Sequence, residues 1–308
     1  MAAGPEMALA ESSAGVECLW DAGALLGEGP VWDDQTAMLC WVDIDAPAIH
    51  LCDLHGGARR SYAVPSEIGC ILPRRGGGWV AGFKTGLAMV DLPADLGEGS
   101  PRITPILDPE PDRPGNRFND GKCDAAGRLW AGTMDQAIAA PTGVLYRLDP
   151  DLSLHVMDDG YVVTNGQAFS PDGRTFYHND TVAGLVHAFD CDPETGAISN
   201  KREFLRLPPD SGVPDGMTVD ARGDLWLAHW GGWRVSRIDP TGTIRQVIQI
   251  PVAQVTSCAF GGPDLDVLFI TSARTGLTAS ALADQPLAGG LFAVRVDATG
   301  LPVDRFGG

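Results

Sequence analysis

Three observations predict an all-β chain folded as a six-bladed β-propeller. Short apolar strands carrying a large aromatic recur six times, a second apolar series ending in aspartate interleaves with them, and helical periodicity is nearly absent. The anchors are Trp41 (MLCWVDI), Trp79 (GGWVAGF), Trp130 (GRLWAGT), Phe176 (RTFYHND), Trp226 (GDLWLAH) and Phe269 (DVLFITS), with gaps of 38, 51, 46, 50 and 43 residues. The second series ends at Asp53, Asp91, Asp149, Asp190, Asp239 and Asp297. Six anchors and six followers imply six units, whereas sandwiches and Rossmann folds do not repeat in this way.

Each aspartate stands where a strand ends, and segments such as DPETG, DPTG and DATG supply a fixed proline φ and a glycine able to take positive φ. These aspartates read as structural. Further turn signals (SPDG, DAAG, DARG, GGPD) lie between the strands, and 39 glycines and 23 prolines suit a turn-dense all-β chain. Only TASALADQ, at 278–285, has the character of a short helix or turn. The long stretches between Asp91 and Trp130 and between Phe269 and Leu291 read as insertions in loops of one face. The expected organisation is a flexible tail at 1–16 and one propeller domain at 17–308, as a monomer or weak oligomer.

Composition narrows the classes of function. Hydrophobic residues make up 44% of 308, enough for a sizeable core. Forty acidic against 22 basic residues give a net charge of -18, which repels phosphate backbones and anionic membranes, so nucleic acid and membrane partners are not expected. Seven widely spaced cysteines with no C-x-x-C pair indicate reduced, mostly buried thiols. The first residues lack the basic start of a signal peptide, and no apolar run approaches the roughly 20 residues that span a bilayer. A cytoplasmic location is expected.

In a propeller, chemistry gathers where innermost strands meet the central channel. Four segments couple a carboxylate or carboxamide to a glycine and then an apolar strand: LGEGPVW, NRFNDGKCD, VTNGQAFSPDG and VPDGMTVD. They bring Glu28, Asn119 with Asp120, Asn165 and Asp215. Glu28, Asn119, Asn165 and Asp215 precede their anchors by 13, 11, 11 and 11 residues, which places them at equivalent levels of four blades around one axis. Carboxylates and amide oxygens converging there make a hard-oxygen site for a divalent cation. The other reading of the same dipeptides is ordinary Asp-Gly and Asn-Gly turn chemistry.

GEGP, RFNDGK, TNG followed by SPDG, PDGM and TSCAFGG, in this order, resemble the gluconolactonase and regucalcin (senescence marker protein) family from about Cys18 to Phe306. The resemblance implies a six-bladed propeller with a central metal site, one divalent cation (Ca, Zn, Mn, Mg or Fe), and hydrolysis of a sugar-acid lactone such as glucono-, xylono-, arabinono- or galactonolactone. Glu28, Asn165 and Asp215 resemble the family's metal ligands, with Asp215 also the general base on water. Arg117 and Asn119 resemble its substrate-contacting pair. The family's further substrate-binding acid has no clean match: the sequence reads GTMDQAIAA, Ala137 falls near the expected place, and Asp135 or Gln136 is expected to substitute.

A cation polarises the lactone carbonyl and Asp215 takes a proton from the attacking water, which is how these residue types suit lactone opening. Two alternatives remain from the sequence: a calcium-binding regulatory protein without significant turnover, and a hydrolase of other esters or organophosphates. No G-x-S-x-G or H-E-x-x-H occurs to support a serine hydrolase or a zincin. His178 and His229 read as buried, hydrogen-bonded histidines and Cys258 as core. Trp230 and Trp233 of HWGGW serve either packing or the wall of a substrate pocket.

Overall fold

The computed structural model of the chain describes residues 10–12, 15–54 and 57–308. Six antiparallel sheets follow one another along the chain: blades 1 to 5 span 27–63, 68–107, 116–161, 164–206 and 213–249. Blade 6 takes three strands from 255–295 and its outermost from Glu17–Trp20, which pairs with Leu291–Arg295. The ring is thus closed by hydrogen bonds between the two ends of the domain, with Glu17–Trp20 completing blade 6 as its fourth strand.

All six aromatic anchors sit on the second strand of their blade, and all six aspartates within two residues of the end of the third. Trp41, Trp130, Phe176 and Trp226 are fully buried, and each such side chain contributes about 1.5–3 kcal/mol by leaving water. They pack between blades: the Trp130 and Phe176 rings lie 4.8 Å apart, and Trp226 meets Phe260 edge-on at 5.5 Å. The DAAG and DARG turns serve these anchors. Asp124 accepts the Trp130 indole N–H at 3.0 Å and Asp220 that of Trp226 at 3.0 Å, so two buried donors are satisfied. Of the strand-end aspartates, Asp91 pairs with Arg102 and Asp190 with Arg202, and Asp239 closes its turn with the Thr241 and Thr243 N–H groups.

Every innermost strand breaks register against its neighbour near the same end, between Glu28 and Val31, Ile68 and Cys70, Phe118 and Asp120, Asn165 and Ala168, Pro214 and Met217, and Val255 and Ser257. A bulge re-aims the side chains beside it, and those of blades 1, 3, 4 and 5 turn polar residues toward the axis. Glycine permits this at Gly29 (φ +53°) and Gly166 (φ +52°).

Three expectations need correction. The long stretch after Asp91 does not lie on one face. Because the third strand runs away from the bulged end, 92–101 crosses the opposite face, and only 108–115 returns to the bulged one. Between Phe269 and Leu291 the extra residues do lie on the bulged face and include the helix Ala279–Asp284, capped by Thr278. Within the expected tail, Ala10–Ser12 pairs in parallel with Ile244–Gln249, because the outer edge of blade 5 offers unpaired backbone groups; residues 1–9, 13 and 14 lie outside the described residues. His229 is buried and hydrogen-bonded as expected, its Nδ1–H donating to the Ser211 carbonyl at 2.8 Å, whereas His178 is buried with neither ring nitrogen partnered.

All seven cysteines are free, and all but Cys18 are buried. Cys258 is core, its thiol 3.3 Å from the Trp226 carbonyl oxygen. Among the described residues no helix is long and apolar enough to cross a membrane.

The last ten residues form a strap across the face opposite the bulges. Ala221 N–H donates to the Thr299 carbonyl, Gly300 N–H to Leu265, Phe306 N–H to Pro73, and Gly307 N–H to Gly127, at 2.7–2.9 Å. Arg305 pairs with Asp33 and Asp34, and Phe306 is fully buried. The strap therefore ties blades 5, 6, 1, 2 and 3 together. Leu301–Asp304 line a cavity of about 90 Å³ at that end of the channel, and between it and the bulges the channel narrows to a void of about 10 Å³ beside Asp120, Lys122 and Met217.

Candidate functional site

The bulges deliver Glu28, Asn119, Asp120, Asn165 and Asp215 to one place on the axis, each between 3% and 8% exposed. Asn165 Nδ2 donates to Asp215 Oδ1, and Asn179 Nδ2, from the second strand of blade 4, donates to the Asp215 carbonyl oxygen. Glu28 Oε2 accepts the Gly29 N–H at 2.9 Å. Asp120, one level down, accepts the Gly121 and Gly166 N–H groups at 2.7 and 2.8 Å, which locks the Asn165–Gly166 bulge to blade 3. Arg117 Nη1 donates to Asn119 Oδ1 at 2.6 Å and to the Phe118 carbonyl at 3.0 Å, while Asn119 Nδ2 donates to the Thr164 carbonyl at 2.8 Å. The Arg117–Asn119 pair is thereby held rigid at the edge of the carboxylates.

Burial, reinforced by neighbouring carboxylates, pushes the acids of Glu28 and Asp215 well above the ordinary range. For Glu28 the neighbours are Asp215 and Asp120, and for Asp215 the neighbour is Asp120. Arg117 opposes the shift of Glu28 but does not cancel it. Two buried carboxylates without a full counter-charge are unfavourable alone, and this donor set fits a hard divalent cation. Asn165 Oδ1, whose hydrogen bond is to the adjacent Gly166 N–H at 3.1 Å, supplies a third oxygen. Among the described residues no three His, Cys, Asp or Glu side chains form a ready ligand group; the hub instead mixes carboxylates with carboxamides.

Above these groups opens a cavity of about 510 Å³ on the bulged face, with Glu28, Arg117, Asn119, Asn165 and Asp215 among its lining. Its walls come from strand ends and loops: Leu26 and Asp45 of blade 1, Met134, Gln136 and Ile138 of blade 3, Val163, Thr181 and Val182 of blade 4, Val213 and Trp230 of blade 5, and Thr275 of blade 6.

A family model described as SMP-30/Gluconolactonase/LRE-like region matches residues 26–274. The chain belongs to this family. Its similarity to curated members runs nearly end to end: it is 40% identical to the regucalcin of Danio rerio over 95% of this chain and 96% of that one. It is 37% identical to a 6-deoxy-6-sulfogluconolactonase of Pseudomonas putida over 95% and 99%. Among solved structures, a calcium-binding protein, regucalcin, from Agrobacterium tumefaciens superposes with a TM-score of 0.91 at 28% identity, covering 97% of this chain and 99% of that one.

Of the residues that family resemblance singled out, Glu28, Arg117, Asn119, Asn165, Asp215 and Gln136 all reach the cavity. Asp135 does not: its carboxylate accepts the N–H groups of Ala137, Ala139 and Ala140 at 2.9–3.1 Å, closing the turn after the second strand of blade 3. Gln136 Nε2 reaches Glu67 at 3.2 Å. Trp230 walls the cavity while Trp233, 41% exposed, does not. Asn179 escaped the sequence reading, although it stands in the anchor segment RTFYHND; its role depends on blade 5 lying beside blade 4.

Proposed function

We propose that this protein is a divalent-cation-dependent lactonase that opens a sugar-acid lactone to its hydroxy acid. The observation that carries the reading is the set Glu28, Asn165 and Asp215, oxygen donors from three blades, at the floor of a cavity that also presents the fixed Arg117–Asn119 pair. Family membership supports it, since one curated relative is named as a sugar lactonase.

Glu28, Asn165 and Asp215 would hold the cation, which supplies Lewis-acid polarisation of the ester carbonyl and keeps the two carboxylates ionised. Arg117 and Asn119 orient the lactone, the guanidinium facing the oxygen on which negative charge grows. Asp215 takes a proton from the water whose oxygen attacks the carbonyl carbon. As the ring C–O bond breaks, that proton passes to the departing oxygen, giving the hydroxy acid. Walls from five blades restrict bulk water to the open mouth.

The regucalcin relatives favour a second reading in which the same residues hold calcium without turnover. A pH-stat assay over glucono-, xylono-, arabinono- and galactonolactone, with chelated protein reloaded with each cation, separates the two. Asp215→Ala is expected to abolish lactone opening with the circular dichroism of the fold retained. A fully active variant removes Asp215 from the mechanism, and tight calcium binding with no turnover on the panel or on aryl esters selects the second reading.

A further inference from the structure

We propose that the outer half of the cavity is shaped for an apolar substituent, so that among sugar-acid lactones the preferred substrate is an uncharged one bearing a deoxygenated, alkyl or aryl group on a ring carbon remote from the carbonyl. The reacting group rests on the lactonase reading above; the substituent rests on the wall itself. Polarity in the cavity is stratified. The floor is carboxylate, carboxamide and guanidinium, whereas Met134, Val163 and Trp230 rise above it, and Ile138 and Val182 stand at the mouth, 58% and 53% exposed. Large apolar side chains left in water around a cavity mouth mark a surface that a ligand covers.

Ile138 is held there by construction. Its φ is +52°, unfavourable for a β-branched residue. The turn that imposes it is closed by the Asp135 carboxylate on three N–H groups and by the Ile138 N–H on the Asp135 carbonyl at 2.9 Å. Where the family resemblance implies a substrate-binding acid, near Ala137, this chain spends the Asp135 carboxylate on the backbone, and the neighbours that reach the cavity are Gln136 and Ile138. Charge points the same way. Among the described residues lining the cavity, Arg117 is the one cation, and it lies at the floor bonded to Asn119, whereas the mouth carries Asp45, which accepts the Thr275 hydroxyl at 2.7 Å. An anionic tail meets repulsion at the mouth, and on the blade 3 and blade 4 side Gln136 and Thr181 already donate to Glu67 and the Pro214 carbonyl.

The test uses the full-length, cation-reloaded protein with γ-valerolactone, γ-nonalactone, glucono-1,5-lactone and a γ-lactone whose chain of the same length ends in carboxylate. Each buried methylene is worth about fourfold, so γ-nonalactone, longer by four methylenes, is expected to exceed γ-valerolactone in kcat/KM by about 250-fold, and the carboxylate-ended chain to lose that gain. Ile138→Asp combined with Val182→Asp is expected to cut the chain-length gain below about tenfold, and the milder Ile138→Ser to reduce it in the same sense. Calorimetric titration with the matching γ-lactams reads the wall without hydrolysis. Lactonase activity with no chain-length gain, with preference for the charged chain, or with a gain untouched by the variants overturns the inference and leaves the lactonase reading standing. Lactams that bind more tightly as the chain grows, in a protein that opens no lactone, do the reverse.

Discussion

Replacing Glu28 by Gln is expected to make the metal-free protein more stable while destroying its cation binding. In the structure Glu28 Oε2 accepts the Gly29 N–H at 2.9 Å, and a glutamine Oε1 can accept the same bond. The volume is unchanged, so no cavity opens. What disappears is a buried carboxyl whose charged form is opposed by burial and by Asp215 and Asp120, and only partly favoured by Arg117. Replacing buried, poorly compensated charge by a neutral isostere commonly gains about 1–4 kcal/mol. Unfolding entropy near 2 cal/mol/K per residue makes 1 kcal/mol worth about 1.5 °C in a chain of this size, so the chelated variant is expected to melt about 2–6 °C above chelated wild type. Differential scanning calorimetry with excess chelator reads the shift, and the same scan with calcium or zinc should raise the melting point of wild type but not of the variant. A variant that melts below chelated wild type, or that is stabilised by cation as wild type is, would refute the view of the hub as frustrated carboxylates awaiting a cation.

Other regions give sharper structural tests. Gly166→Ala forces a Cβ into left-handed backbone and to 2.7 Å from the Asp215 carbonyl oxygen; a loss of about 2–4 kcal/mol in urea unfolding is expected, together with weakened cation affinity. The His178 imidazole, fully buried without partners, has its basicity pushed down to about 3 by burial. Because the folded value lies below the unfolded one of about 6.5, the stability it permits is present above pH 6.5 and falls away as the pH drops toward 3, by about 3 kcal/mol at pH 4. His178→Phe, packed between Tyr161 and Phe176, is expected to flatten that part of the acid-unfolding profile, and an unchanged profile would show that His178 is not its source. Deleting residues 299–308 removes the buried Phe306 and the backbone bonds to four blades; a loss of at least about 3–5 kcal/mol is expected, measured by the urea midpoint.

The blade count was legible because one anchor per blade, such as Trp130 or Trp226, must be both aromatic and fully enclosed between sheets, a demand that recurs with the length of the blade. Glu28, Asn165 and Asp215 were legible because at these three bulges a glycine follows the residue turned inward, and that pairing survives in the primary sequence. Contacts between distant strands were not. Asn179 reaches Asp215 across a blade boundary, Ala10–Ser12 finds the edge of Ile244–Gln249, and residues 299–308 dock on five blades, all pairings set by the closed ring rather than by neighbours in the chain. Asp135 misled for a local reason. A carboxylate two residues before a loop either faces the ligand or caps the loop, and only the positions of the Ala137, Ala139 and Ala140 N–H groups decide which.

The strap also sets the traffic of the molecule. With one end of the channel crossed by 299–308 and the bore below the hub pinched to about 10 Å³, whatever reaches the hub must leave by the door through which it came. Arrival and departure are mutually exclusive, so product still seated at the hub is expected to inhibit as a pure competitor of substrate. Severing the strap would open only the vestibule beneath it, because the pinch is built by the innermost strands, and the hub would remain a cul-de-sac.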